Sequence, residues 1–191
     1  SIHSLLQKFG PFQIGVVRSF LIQILEGLVY LHENGIVHRD IKGANVLVDA
    51  RGQIKLADFG ASKQLSSVYS ISNGGCNTFT GSPYWMAPEV IQGTTPYGTK
   101  ADMWSVGAVA MEMTTGKPPF GDLEPMMALF KIGQGDVVPD IPDTLPPLCR
   151  EFMRLCFTRD PESRPSARQL LTHPFLTQTM SESKFKENVS I

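Results

Sequence analysis

The chain has 191 residues, enough for one domain with a sizeable core, and a domain of that length buries roughly 70% of the surface its unfolded chain exposes. Lys plus Arg number 17 against 18 Asp plus Glu, and the net charge of -1 excludes an overall electrostatic pull toward nucleic acid or an anionic membrane, so function must sit in local sites. The cysteines Cys76, Cys149 and Cys156 are odd in number and lack CxxC spacing, which argues against a disulfide framework or a zinc site and for a reducing, cytoplasmic setting.

The chain opens on Ser1-Ile2-His3 without an initiator Met or an apolar leader, and no run approaches the roughly 18 apolar residues that span a bilayer. It is therefore expected to be soluble and to be cut from something longer. After a short first helix, Ile14, Val17, Leu21, Ile24, Leu25, Leu28 and Leu31 recur at three- and four-residue steps, predicting an amphipathic helix over 13–33 with Gly35 as its stop. The period then changes. Val46-Leu47-Val48 and Ile54-Lys55-Leu56, separated by Asp49-Ala50-Arg51-Gly52, read as a β-hairpin.

From Ser62 to Thr80 the composition of Ser, Asn, Gly and Thr without a period predicts a long mobile loop. Between Lys100 and Thr115 apolar residues occupy most of a helix circumference, which marks a buried helix ended by Gly116. Helices are expected around 124–132, over 147–157 with Leu148, Phe152, Leu155 and Cys156 on one side, and at about 166–171. The polar tail from Thr177 to Ile191 is expected to be poorly ordered. The balance is mainly α with one small β-hairpin.

The strongest signal is His38-Arg39-Asp40-Ile41-Lys42-Gly43-Ala44-Asn45, followed across the hairpin by Asp58-Phe59-Gly60 and later by Ala87-Pro88-Glu89. In this order the three motifs resemble the catalytic loop, metal-binding loop and end of the activation segment of eukaryotic protein kinases. Such a likeness implies phosphoryl transfer, in which the protein positions reactants and stabilises charge on phosphate oxygens. Asp40 would accept or orient the substrate hydroxyl proton. Lys42 would set its ammonium near the γ-phosphate. Asn45 and Asp58 would offer oxygens to Mg²⁺. Gly60 would permit the backbone turn that aims Asp58.

Lys42 and the segment Gly81-Ser82-Pro83-Tyr84-Trp85-Met86-Ala87-Pro88-Glu89 resemble the serine/threonine class, with Ser82 directed toward Asp40 and Lys42. By the same analogy Arg39 would pair with a phosphate on the activation loop, Thr78 being the first candidate and Thr80 the second. Asp102 would anchor the catalytic loop, and Arg164 would pair with Glu89. The likeness runs from the first residues to about Leu176, giving a kinase unit over 1–176 and a tail over 177–191. Together with Thr115-Gly116-Lys117-Pro118-Pro119-Phe120, these motifs most resemble the sterile-20-like and MAP kinase kinase kinase groups. They imply ATP and Mg²⁺ as cofactors, a protein substrate with a MAP kinase kinase as candidate, and neither nucleic acid nor membrane as partner.

The segment before His38 contains no G-x-G-x-x-G and no V-A-I-K pattern. Ser1 falls where the resemblance puts the segment just after the inter-lobe hinge. The expectation is thus the C-terminal lobe of the protein-kinase-like fold with the N-terminal lobe absent. Leu47 and Ala57 would form an open adenine floor, and the isolated chain would bind ATP weakly and be inactive. A reading of another class stands beside it: a non-catalytic interaction module whose partner binding survives Asp40→Asn. Simpler roles are expected for His38, a packed scaffold residue, for the Met residues of the buried helix, which are core, for Asp49 and Asp143, which form turns, and for Cys76, an ordinary exposed thiol.

Overall fold

The computed structural model describes residues 1–58, 83–93, 98–134 and 137–178. The expected loop over 62–80 lies outside the described residues, as does the tail from 179 onward. Thr177 itself closes the last helix.

Helix α1 spans Ile2–Phe9 and α2 spans Ile14–Glu33. Past α2, Gly35 adopts φ 71°, its N–H donates to the His32 carbonyl at 3.1 Å, and the Ile36 N–H donates to the Leu31 carbonyl at 2.9 Å. These are the paired bonds of a Schellman cap, which needs a residue in the left-handed region. Strands β1 (Val46–Val48) and β2 (Ile54–Leu56) pair antiparallel with Val46 opposite Leu56, Leu47 opposite Lys55 and Val48 opposite Ile54. Asp49 forms the turn between them, its Oδ1 accepting from the Arg51 and Gln53 amides at 2.8 and 2.9 Å.

A 3₁₀ turn (Pro83–Trp85) leads into α3 (Pro88–Gln92). Then come α4 (Thr99–Thr115), α5 (Pro125–Gly133), α6 (Pro147–Cys156), α7 (Ala167–Leu171) and α8 (Pro174–Thr177). Helices α3, α5, α6 and α8 all begin with proline in the first turn, where the missing N–H would lack an intrahelical partner anyway. Ser166 caps α7 in a reciprocal box with Gln169.

Every residue of α4 from Ala101 to Met113 is buried, and the helix packs on α2 and α6. It approaches α6 closely at Gly107, where an added Cβ would stand 2.6 Å from the Cys156 Cβ. Leu21, Ile24, Leu25 and Leu28 of α2 are fully buried, each stabilising the fold by roughly 1.5–3 kcal/mol relative to exposure. Helix α2 is also long and apolar enough, by length and composition, to cross a membrane, which corrects the expectation that no segment approaches that limit. It packs on α4, α7, α8 and the hairpin as the core helix of this fold.

The inward face of α6 also differs from expectation. Cys149, Phe152, Met153 and Cys156 are buried, whereas Leu155 is exposed and Leu148 half-buried. Helix α6 packs on α4 and α8, and the face turned to them is the one that carries Cys149, Phe152, Met153 and Cys156. Burial pushes the Cys149 thiol up to about 11 and Cys156 higher still, so both are inert thiols of the core.

Candidate active site

The segment that leaves α2 is held by a carboxylate from α4. Asp102, fully buried, accepts the His38 amide on Oδ2 at 3.0 Å and the Arg39 amide on Oδ1 at 2.9 Å, with His32 Nε2 2.8 Å from Oδ2. Three donors around one carboxylate offset the cost of burying it. They also hold Arg39 at φ 72°, a left-handed backbone that costs a non-glycine residue roughly 1–2 kcal/mol.

Beyond this anchor the side chains converge. Lys42 Nζ lies 2.8 Å from Asp40 Oδ2. Asn45 Nδ2 donates to the same oxygen at 2.7 Å and to the Asp40 carbonyl at 2.9 Å. The Asn45 amide nitrogen is thus committed to Asp40, and its oxygen is the atom of that side chain able to act as a cation ligand. The hairpin supplies the other half of the arrangement. The Ala57 N–H donates to the Asn45 carbonyl at 2.9 Å, one step beyond the Val46–Leu56 pair, so the ladder sets Asp58 beside the loop that carries Asn45. Asp58 is exposed and stands at φ 64°. Side-chain oxygens from two loops are the donor type that Mg²⁺ prefers. Leu47 is exposed and lies opposite Lys55; Ala57 shares that face by strand alternation.

His38 is buried with its Nδ1 3.4 Å from the Asp40 amide, and burial holds its pKa below the ordinary 6.5 against the opposing pull of Asp102 and Asp40. A neutral imidazole that orients backbone fits this setting. Gly60, Thr78, Thr80, Ser82 and Cys76 lie outside the described residues. Away from the loop, Arg164 meets Glu89 through two parallel bonds, Nη1 to Oε1 at 2.8 Å and Nη2 to Oε2 at 3.0 Å.

Sequence reasoning missed two groups here. One is His32, for which the chain carries no distinguishing signal. The other is Glu112, 2% exposed, whose Oε2 accepts the Gly43 amide at 3.1 Å and Trp85 Nε1 at 3.0 Å, while His3 Nδ1 lies 3.5 Å from Oε1. Burial raises its pKa from the ordinary 4.5, and the bonds from Trp85, Gly43 and His3 oppose this. A carboxylate inside a helix apolar on all sides was the available signal.

Comparison with known proteins gives the family. A family profile described as "Protein kinase domain" matches residues 1–176. The chain belongs to the protein kinase domain family. Within it, the kinase domain is 49% identical to "Mitogen-activated protein kinase kinase kinase 3" of Arabidopsis thaliana, covering 94% of this chain and 29% of that protein. It is 47% identical to "Mitogen-activated protein kinase kinase kinase YODA" of the same plant, over 94% of the chain and 20% of the relative. "Mitogen-activated protein kinase kinase kinase A" of Dictyostelium discoideum is 46% identical over 92% of the chain and 18% of its own length. The chain thus spans less than a third of each of these relatives.

Proposed function

We propose that this chain is the C-terminal lobe of a serine/threonine protein kinase that transfers the ATP γ-phosphate to protein hydroxyls in a MAP kinase cascade. The observation that carries the reading is the sharing of one Asp40 carboxylate oxygen by Lys42 and Asn45, beside a hairpin that delivers Asp58. Asp40 orients the substrate hydroxyl and receives its proton. Lys42, released from Asp40 toward phosphate, offsets charge that develops on the transferring group. Asn45 and Asp58 would hold Mg²⁺, which would supply positive charge to phosphate oxygens. Leu47 and Ala57 would form the floor for the adenine. By the family likeness Arg39 would pair with phosphate on Thr78 or Thr80, and Ser82 would hydrogen-bond toward Asp40 and Lys42.

This division of labour leaves the glycine-rich loop and the phosphate-clamping Lys to an N-terminal lobe, and the isolated chain is accordingly inactive. Support for the cascade comes from the relatives' names, which describe kinases acting on MAP kinase kinases. The test is phosphate transfer from Mg-ATP to a serine/threonine peptide array by the full-length protein that contains this chain. Transfer that Asp58→Ala abolishes is expected. No transfer, or transfer that Asp58→Ala leaves intact, would overturn the assignment. For the lobe, calorimetric titration of the isolated chain with Mg-ATP is expected to give no micromolar binding, and micromolar affinity would contradict it.

A further inference from the structure

The outer edge of β2 is closed by one side chain of α2. The Ala57 N–H donates to the Asn45 carbonyl at 2.9 Å and the Asp49 N–H to the Gln53 carbonyl at 3.0 Å, so bonded pairs alternate along the hairpin and Val48–Ile54 is an unbonded pair. The Ile54 N–H therefore points away from β1. Gln23 Oε1 accepts it at 2.9 Å, while Gln23 Nε2 donates to the Gly52 carbonyl at 3.3 Å and to the Ser19 carbonyl at 3.4 Å. A side-chain amide thus stands where the peptide group of a third strand would stand. Two carbonyls and one N–H around it fix which end is oxygen and which is nitrogen.

One turn further along α2, Gly27 faces the same strand. A Cβ there would stand 3.2 Å from Leu56 Cδ1, so the absence of a side chain is what lets Leu56 lie against the helix. Four helical residues rise about 6 Å and two strand residues about 6.6 Å. Gln23 with Ile54 and Gly27 with Leu56 therefore meet nearly in step, and β2 runs along α2 fixed at two points. Past the second point the chain has only Ala57 before it reaches Asp58, so the height of β2 on α2 sets the height of Asp58 beside the loop that carries Asn45.

We infer that Gln23 is a positioning residue for the metal and nucleotide site: by pairing with the outer edge of β2 it sets where the hairpin carries Asp58 relative to Asn45. This rests on reading Asp40, Lys42, Asn45 and Asp58 as a phosphoryl-transfer site. Gln23 touches neither metal nor nucleotide and acts through the backbone of β2. Without it the Ile54 N–H and the Gly52 carbonyl lose their partners on α2. The Gly27–Leu56 contact that remains is apolar and non-directional, and it leaves the strand free to tilt.

The test compares Gln23→Leu and Gln23→Glu with the wild type in the full-length protein. Leucine removes all three bonds at similar volume. Glutamate keeps an acceptor for the Ile54 amide but sets a carboxylate against two carbonyls, and it serves if the leucine variant does not fold. In calorimetric titration with Mg-ADP, the dissociation constant of each variant is expected to rise roughly tenfold, the low end of the range for losing a group that orients a metal ligand. KM for a peptide substrate should stay unchanged, whereas a general loosening of the fold would raise both alike. Unchanged Mg-ADP affinity, or an equal rise in the peptide KM, would overturn the inference. Amide hydrogen exchange without nucleotide supplies a readout that needs no phosphate transfer. The peptide covering 46–58 should exchange faster in both variants while peptides of α4 keep their protection; unchanged exchange at 46–58 overturns the positioning role. If the wild type transfers no phosphate but the hairpin exchange responds, the kinase reading falls and the seating of β2 by Gln23 stands.

Discussion

Lys42 Nζ stands 2.8 Å from Asp40 Oδ2, with the two side chains 27% and 35% exposed. At that exposure the pair is screened and stabilises the fold by no more than about 1 kcal/mol, so its value is positional. Lys42→Met is expected to lower kcat about 10²- to 10³-fold, the cost of losing one charge-stabilising donor. Asp40→Asn should lower it about 10²- to 10⁴-fold by removing the proton acceptor. Neither should move the unfolding free energy by more than about 1 kcal/mol. Steady-state kinetics on the full-length protein, paired with denaturant unfolding, checks both halves; a large stability loss in Lys42→Met would mean that the pair is structural.

Arg164 carries the opposite kind of ion pair. It is fully buried, and all of its N–H directions are used: Glu89 at 2.8 and 3.0 Å, and the carbonyls of Thr158, Lys100 and Arg159 at 2.8, 2.7 and 3.2 Å. Its guanidinium also lies 5.3 Å from the Trp104 ring centre. Arg164→Leu leaves Glu89 buried without its partner and should cost about 3–5 kcal/mol. Arg164→Lys should recover only part of this, since an ammonium cannot reproduce the fork. In urea unfolding, the Glu89→Leu/Arg164→Leu double variant is expected to be more stable than Arg164→Leu alone. A double variant that is less stable would show that the carbonyl bonds, and not the carboxylate pair, dominate.

These two pairs show what could be read before the fold was known. Asp40, Lys42 and Asn45 lie in one loop, so their convergence is nearly a local property, and the period-two runs around Asp49–Gly52 set Asp58 close by. Helix α2 and its end at Gly35 were legible because seven apolar residues keep one period and the glycine meets a left-handed backbone. Helices α3 and α8, at five and four residues, are shorter than any periodic signal can mark. The face of α6 was misjudged because Leu155 is hydrophobic by type yet stays 37% exposed, while Cys149 and Met153 are fully buried. His32 and Glu112 act through contacts across the chain, which only packing reveals.

Gly107 sets a helix preference against a packing limit. Alanine would raise helix propensity by about 1 kcal/mol. Its Cβ, however, would meet the Cys156 Cβ at 2.6 Å and Phe157 Cε1 at 3.0 Å, both on core side chains with nowhere to move. Overpacking of that kind costs about 1–3 kcal/mol, so Gly107→Ala should be net destabilising. Pairing it with Cys156→Gly, which vacates the contact, should restore part of the loss in the double variant relative to the sum of the singles. Thermal unfolding of the four proteins decides it, and a more stable Gly107→Ala would show that α4 and α6 separate readily.

Stability on the acid side should follow His38. Burial depresses its folded pKa below 6.5, with Asp102 and Asp40 opposing. A depressed folded value means that the unfolded chain binds the proton first, so the contribution of the neutral ring is full above pH 6.5 and is lost as pH falls through the folded value. His173, which caps α8 by accepting the Phe175 amide at 3.1 Å, is shifted down by burial as well and adds a loss of the same sign. Glu112 works in reverse: its raised pKa gives a contribution that is full below 4.5 and declines as pH rises through the folded value. Below pH 6.5 the two histidines therefore set the downward slope, at most about 1.4 kcal/mol per pH unit for each. His38→Asn keeps an acceptor near the Nδ1 position for the Asp40 amide and removes one titration. Guanidinium unfolding from pH 7.5 to 5 should show a shallower loss in this variant, even if it begins from a lower stability. An identical slope would mean that His38 takes up no differential proton on unfolding.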